Sequence, residues 1–296
     1  MSDGTISWRE VMAETTARLA AVSDVPGVEA RWIVERASGS EGAELVAALD
    51  EPATRRAMHF HDLMVERRLR GEPLQYVLGR WGFRSLDLLV DHRVLIPRPE
   101  TEVVAGLAIA ELQRRRIAAG DRRLRALDLG TGSGAIGLSI AAECERVEVW
   151  LTDRSPDALA VARANLAGLG RAATRVTIVE GSWFAPLDES LVGSFDVIVS
   201  NPPYVATDDE VEPIVRDWEP HDALHAGEDG LDDLRVLVSG APRWLVPGGA
   251  LVLEMDPRQT ATVVALADDA GFVDAEVHRD LAGRDRVVVA RTAATA

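Results

Sequence analysis

Lysine is missing from this sequence altogether; all 32 basic residues are arginine. Its absence excludes Schiff-base chemistry and the phosphate-binding loop that depends on a lysine. Cysteine is nearly as scarce. With Cys144 alone, the chain has no internal disulfide and no cysteine-built zinc site, which fits a reducing, cytoplasmic setting. No apolar run reaches the ~18 residues of a membrane span, and Met1-Ser2-Asp3-Gly4 offers no basic stretch leading into an apolar one. A soluble protein without an export signal is expected. Positive charge is in deficit, with 32 basic residues against 48 acidic and a net charge of −16. That balance opposes nonspecific attraction to a phosphate backbone.

What is present suits a globular protein of one large and one smaller domain: 296 residues, 47% hydrophobic and 27% charged. Apolar spacing predicts helices over Ile6–Val22, Val28–Ala37, Glu44–Leu49 and Thr54–Leu69. After Gly71-Glu72-Pro73 the pattern from Tyr76 to Ile96 suits short strands with turns, closed by Pro97-Arg98-Pro99. Thr101 then caps a helix reaching about Ala119. From Arg125 onward strands and helices alternate. The strands are Arg125–Leu129, Val147–Asp153, Arg175–Glu180, Phe195–Ser200, Ala250–Met255, Val273–His278 and Arg286–Ala290. The helices between them are Ala135–Glu143, Pro156–Leu169, Leu231–Leu245 and Arg258–Ala270. Such alternation implies an α/β fold, a mostly parallel sheet covered by helices on both faces.

The first strand of that sheet runs into Asp128-Leu129-Gly130-Thr131-Gly132-Ser133-Gly134, where glycines permit a sharp turn and close approach of a ligand to the main chain. Asp153 ends the next strand and can accept hydrogen bonds from both hydroxyls of a ribose. These two features alone also permit a nicotinamide cofactor. The Asp-x-Gly-x-Gly-x-Gly spacing resembles the first motif of the Rossmann-like methyltransferases, and Asp128 suits a sulfonium and an amino group better than a pyrophosphate. S-adenosylmethionine is therefore the expected cofactor, with Trp183 or Phe184, after the third strand, against its adenine.

Asn201-Pro202-Pro203-Tyr204 follows the fourth strand directly, at the sheet edge where α/β proteins bind ligands. Two prolines stiffen the turn and remove backbone donors. The Asn201 side-chain oxygen and the Pro202 carbonyl can accept both hydrogens of a substrate NH2. An amide nitrogen is a poor nucleophile, so two fixed acceptors would orient it and favour the charge developing on it. No strong base is needed, because the methylated nitrogen is acidic and its proton can leave to water. Tyr204 can pack over the flat substrate group.

Over nearly all its length the chain resembles the protein-(glutamine-N5) methyltransferases of peptide-chain release factors, the HemK or PrmC family. The resemblance runs through Glu72–Gly79, Leu95–Glu102 with its Pro-Arg-Pro-Glu-Thr-Glu, the glycine loop and Ser200–Tyr204. It continues through Glu219-Pro220, Ala223-Leu224, Asp229–Leu231 and Asp280–Arg286. It implies a helical N-terminal domain (residues 1–74) that helps bind the partner, a β-hairpin linker (75–100) and a seven-stranded methyltransferase domain (101–296). It also implies a release-factor Gly-Gly-Gln glutamine as substrate and S-adenosylhomocysteine as product, with no metal, no membrane and no direct DNA binding. By matching position, Gly130, Thr131, Gly132, Gly134, Asp153, Trp183 and Asn201 would contact the cofactor, and Asn201, Pro202, Pro203 and Tyr204 would hold the glutamine. The family usually has Glu-Phe at Gly82-Phe83 and Glu-Ile-Gly at Glu254-Met255-Asp256. The asparagine tetrad is shared with nucleic-acid amino-methyltransferases, the alternative reading, which would need a basic face and a target-recognition domain.

The lesser signals read as structural. His59 with His61 and His221 with His225 lack clustered partners for a metal. Arg114–Arg116 with Arg122, Arg123 and Arg125 suits a solvated helix end more than an RNA contact. Arg98 stands between site-shaping and a salt bridge.

Overall fold

A computed structural model describes residues 6–294. Residues 1–5, where an export signal would begin, and the end of the Thr/Ala tail lie outside the described residues. The chain forms two compact units, Met1–Arg80 with Pro213–Trp218, and Trp81–Glu212 with Glu219–Ala296.

The first unit is helical: α1 (Trp8–Leu19), α2 (Pro26–Ser38), α3 (Ala43–Ala48), α4 (Arg55–Leu69) and α5 (Leu74–Leu78). Ser7 and Glu10 close a capping box on α1, and Thr54 caps α4. Leu19, Ile33, Met64 and Val65 form its core. Inside it Arg68 grips Glu29 through two bonds of 2.8 and 3.0 Å. The expected strand at Tyr76 is instead the turn of α5. Arg67 collects the carbonyls of Tyr76 and Val77 and pairs with Glu72, so a side chain takes the acceptors that a strand would give to a neighbour. Gly79 (φ +69) ends the turn.

Strands β1 (Arg80–Phe83) and β2 (Leu86–Leu89) pair as a two-stranded sheet. The stretch after them turns at His92–Val94, where Val94 N–H donates to the Asp91 carbonyl, and forms no named strand: the Ile96 N–H is held by the Glu219 side chain at 3.1 Å. Helix α6 (Pro99–Ala119) starts at Pro99, two residues before the expected cap. Proline suits a first helical position because its missing N–H would have had no partner there. Thr101 is therefore buried inside the first turn, and its hydroxyl serves another purpose described below.

Then come β3 (Leu124–Leu129), α7 (Ala135–Glu143), β4 (Val147–Asp153), α8 (Pro156–Ala167), β5 (Val176–Glu180) and β6 (Phe195–Ser200). After α9 (Pro213–Trp218) follow α10 (Asp232–Trp244), β7 (Leu245–Glu254), α11 (Thr260–Asp269), β8 (Asp274–Arg279) and β9 (Asp285–Arg291). The seven strands are ordered β5-β4-β3-β6-β7-β9-β8. Only β9 runs against its neighbours. Strand β7 starts five residues before the expected Ala250, and Pro247-Gly248-Gly249 is absorbed by a register shift opposite Phe195–Val197. β3 and β6 are adjacent and parallel, and the sequence order reverses between them. That junction is where a doubly wound sheet opens a crevice beyond its carboxyl ends.

Asn165 of α8 ties this region together. Its side chain accepts from Leu89 N–H (2.7 Å) and donates to the Leu89 and Ser133 carbonyls (3.1 and 2.8 Å). Asn165→Leu strips partners from three backbone groups, two on the exposed Leu89 and one the buried Ser133 carbonyl, and a buried group left unpaired costs roughly 1–3 kcal/mol. Chemical denaturation is expected to show a loss of about 1–3 kcal/mol; an unchanged midpoint would mean that these groups find other partners.

Candidate active site

A cavity of about 540 Å³ opens at the β3–β6 junction. One wall is the glycine loop. Gly130 turns at φ +68, and a Cβ there would stand 3.1 Å from the Trp183 ring, so the glycine makes room for the indole as well as for the turn. Trp183 itself has φ +48, a conformation rare for a bulky residue and found chiefly where function demands it. Its neighbour Phe184 points away and stacks on Trp244 in the core at 6.1 Å.

Asp153, at the end of β4, accepts Gly132 N–H on one oxygen and Ser155 N–H on the other, both at 2.9 Å. Burial pushes its carboxyl upward, against these hydrogen bonds. Asp128 is deeper. One oxygen accepts from Thr131 Oγ1 (2.6 Å) and Gly137 N–H (2.9 Å), while Oδ1 is buried with no partner among the described residues. Desolvation pushes Asp128 up to about 6. An unpaired buried carboxylate oxygen in the wall of a cavity is the arrangement a cationic ligand would complete. The residues present fit a ligand with a ribose and a positively charged end.

The other wall is the turn after β6, pinned at several points. Ser200 Oγ donates to the Leu129 carbonyl at 2.6 Å. Asn201 Nδ2 donates to Thr101 Oγ1 at 3.1 Å, and Thr101 Oγ1 donates to Glu254 Oε2 at 2.7 Å. The Tyr204 hydroxyl donates to Glu254 Oε1 at 3.3 Å, and the Arg286 guanidinium lies 5.9 Å from the Tyr204 ring centre. Gln259 Nε2 donates to the Tyr204 carbonyl at 2.9 Å. A Cβ on Gly230 would approach that carbonyl to 2.3 Å, so only glycine fits there. Among the described residues no backbone N–H donates to the Pro202 carbonyl. Asp256, the departure from the family pattern, caps the turn that presents Gln259 and forms a capping box with it. Gly82, the other departure, has open space around its Cβ position.

Gly130, Thr131, Gly132, Asp153 and Trp183 line the cavity, as do Asn201 and Pro203. Gly134 does not: at φ +88 it starts α7, and a Cβ would collide with Leu138 at 2.7 Å. Pro202 is buried and the Tyr204 hydroxyl is directed at Glu254, and neither residue lines the wall. Sequence reasoning missed the parts played by Thr101 and Glu254. The available signal was a carboxylate closing the apolar run Ala250-Leu251-Val252-Leu253. Arg98 pairs with the buried Glu219. Five arginines of the run are paired with acids: Asp196 takes Arg115 and Arg122, Glu148 takes Arg123 and Arg125, and Glu111 takes Arg114, while Arg116 donates to the Arg122 carbonyl. His61 is buried against Thr15 at 2.8 Å, and His221 stacks on His225.

Two family models match, the PrmC N-terminal domain over residues 10–79 and the methyltransferase small domain over residues 109–218. A release factor glutamine methyltransferase of Deinococcus radiodurans is 43% identical over 289 residues, covering 96% of this chain and 98% of the relative. One from Xylella fastidiosa is 42% identical over 283 residues, covering 95% and 98%. Among solved structures, the hMettl16 catalytic domain in complex with MAT2A 3′UTR hairpin 6 is similar in fold alone. It has a TM-score of 0.54 at 14% identity, covering 80% of this chain and 82% of that one.

Glu254 is 1% exposed, and burial pushes its carboxyl up to about 7 despite the bonds from Thr101 and Tyr204 and the nearby Arg286 charge. A carboxyl that binds its proton more tightly when folded favours folding below its unfolded value. That contribution is lost as pH rises through about 7. Glu254→Gln is therefore expected to become more stable relative to the parent as pH rises from about 5 to about 8, by up to about 3 kcal/mol. Denaturation at both pH values checks this; a gap that does not widen would mean that Arg286 neutralises the carboxylate fully.

Proposed function

The chain belongs to the release factor glutamine methyltransferase family, and on that premise we propose that it methylates the side-chain nitrogen of the Gly-Gly-Gln glutamine in a peptide-chain release factor. The single observation that carries this reading is the pair of neutral acceptors, Asn201 Oδ1 and the Pro202 carbonyl, on a turn pinned beside the cavity. S-adenosylmethionine, when bound, supplies an electrophilic methyl group. Asp153 would hold its ribose, Asp128 its cationic end, Gly130, Thr131 and Gly132 its methionine portion, and Trp183 its adenine. Gly134 supports the loop without lining it.

Asn201 and Pro202 would each accept one hydrogen of the glutamine NH2, fix its plane and favour positive charge on the nitrogen. Neither is a strong base, so the proton would leave to water after transfer. Pro203 lines the cavity wall. Tyr204, whose side chain does not line the cavity and whose hydroxyl is directed at Glu254, would stiffen the turn that presents the acceptors. We assign residues 1–74 to partner binding and residues 75–100 to the link with the methyltransferase domain. Nucleic acid is the weaker alternative substrate, because Arg114, Arg115, Arg122, Arg123 and Arg125 are engaged by Asp196, Glu148 and Glu111 and the net charge is −16.

Asn201→Ala is expected to slow methylation by about 100-fold or more while cofactor affinity stays within about tenfold. Asp153→Ala should instead weaken cofactor binding. Mass spectrometry of the release factor's Gly-Gly-Gln peptide reads the first and calorimetry the second. Full turnover by Asn201→Ala, or methyl groups found only on DNA, would refute the assignment.

A further inference from the structure

We propose that Thr101 and Glu254 are positioning residues that decide which end of the Asn201 amide faces the substrate. The proposal rests on the glutamine-methylation reading and deepens it. An amide side chain is nearly symmetric in shape but opposite in polarity at its two ends. If the NH2 end of Asn201 faced the glutamine, two donors would meet and the substrate would be repelled. Something must fix the orientation, and a single asparagine cannot do so alone.

The hydrogen-bond chain supplies the constraint. Ionised Glu254 only accepts. Thr101 Oγ1 gives its one proton to Glu254 Oε2 at 2.7 Å, and Tyr204 gives its own to Oε1 at 3.3 Å. Toward Asn201, Thr101 is left with lone pairs only, so it receives Nδ2, at 3.1 Å. Oδ1 is then the amide's free acceptor. A flipped amide would set two oxygens against each other at that contact. Thr101 and Glu254 are 3% and 1% exposed, so water is a poor substitute for either, and the polarity is enforced in a low-dielectric setting.

A proton on Oε2 would reverse the chain: Glu254 would donate to Thr101, Thr101 to Asn201 Oδ1, and the NH2 end would turn outward. The groups facing Glu254 are Arg286 from β9, Glu100 from α6 and the Tyr204 hydroxyl. Arg286 favours the ionised form, while Glu100 and burial oppose it, which leaves the carboxyl titrating near neutrality.

The test measures kcat and KM for glutamine methylation of a purified release factor from about pH 6 to about pH 9. Thr101→Val is expected to lower kcat about 10- to 100-fold with cofactor affinity within about threefold, and Thr101→Ser to recover most of the loss. The parent kcat should fall on the acid side of about 7, and Glu254→Gln, which keeps a carbonyl but no titrating proton, should lack that fall. Parental kcat in Thr101→Val, equal impairment in Thr101→Ser, or an acid fall retained in Glu254→Gln would overturn the proposal. Asn201→Ala runs alongside. If it is slow while Thr101→Val is not, only this proposal fails. If the parent leaves the glutamine unmethylated, the functional reading falls and takes this proposal with it.

Discussion

The two walls of the cavity hang from the ends of two neighbouring parallel strands. β3 and β6 pair through Ala126–Asp128 and Val197–Val199, and the Ser200 hydroxyl clips the last residue of β6 to the Leu129 carbonyl. From that clip the glycine loop leaves on one side and the proline turn on the other. The distance between the two walls is therefore set by strand pairing, the least deformable part of an α/β fold. Neither wall has to be held in place by a loop alone.

The sequence spoke most clearly where local chemistry and the final fold agree. The strands Val147–Asp153 and Phe195–Ser200 and the helix Ala135–Glu143 have the expected bounds, because apolar runs between capping or glycine signals need no distant information. Errors arose where a distant side chain replaced a backbone partner. Arg67 takes the carbonyls of Tyr76 and Val77, which turns an expected strand into a helical turn. Glu219, far along the chain, takes the Ile96 N–H. The partnership of Thr101, Asn201 and Glu254 spans separations of 100 and 153 residues. No local pattern encodes it; only a carboxylate at the end of an apolar strand hints that a buried partner awaits.

Strain and accommodation are coupled across the cavity wall. Trp183 adopts a left-handed backbone, and its ring occupies the space that a side chain at Gly130 would need. The glycine of the loop and the aromatic after β5 thus form one unit: a larger residue at the first would push the second out of the cavity. Gly230 and Gln259 do the same for the proline turn, one by permitting close approach to the Tyr204 carbonyl and the other by binding it. Asp256 has a definite part in this chain, because its capping box holds Gln259 in place.

Asp128 and Glu254 are both buried carboxylates at the ends of apolar strands, yet they are satisfied differently. Glu254 has a donor on each oxygen, so its charge is contained and the partners it orders are protein groups. Asp128 has two donors on one oxygen and, among the described residues, none on the other. A buried carboxylate that is half satisfied is costly to keep without a ligand. Burial of the same group thus leaves both oxygens occupied on one side of the cavity and one oxygen free on the other, and the difference lies in which lone pairs the fold engages.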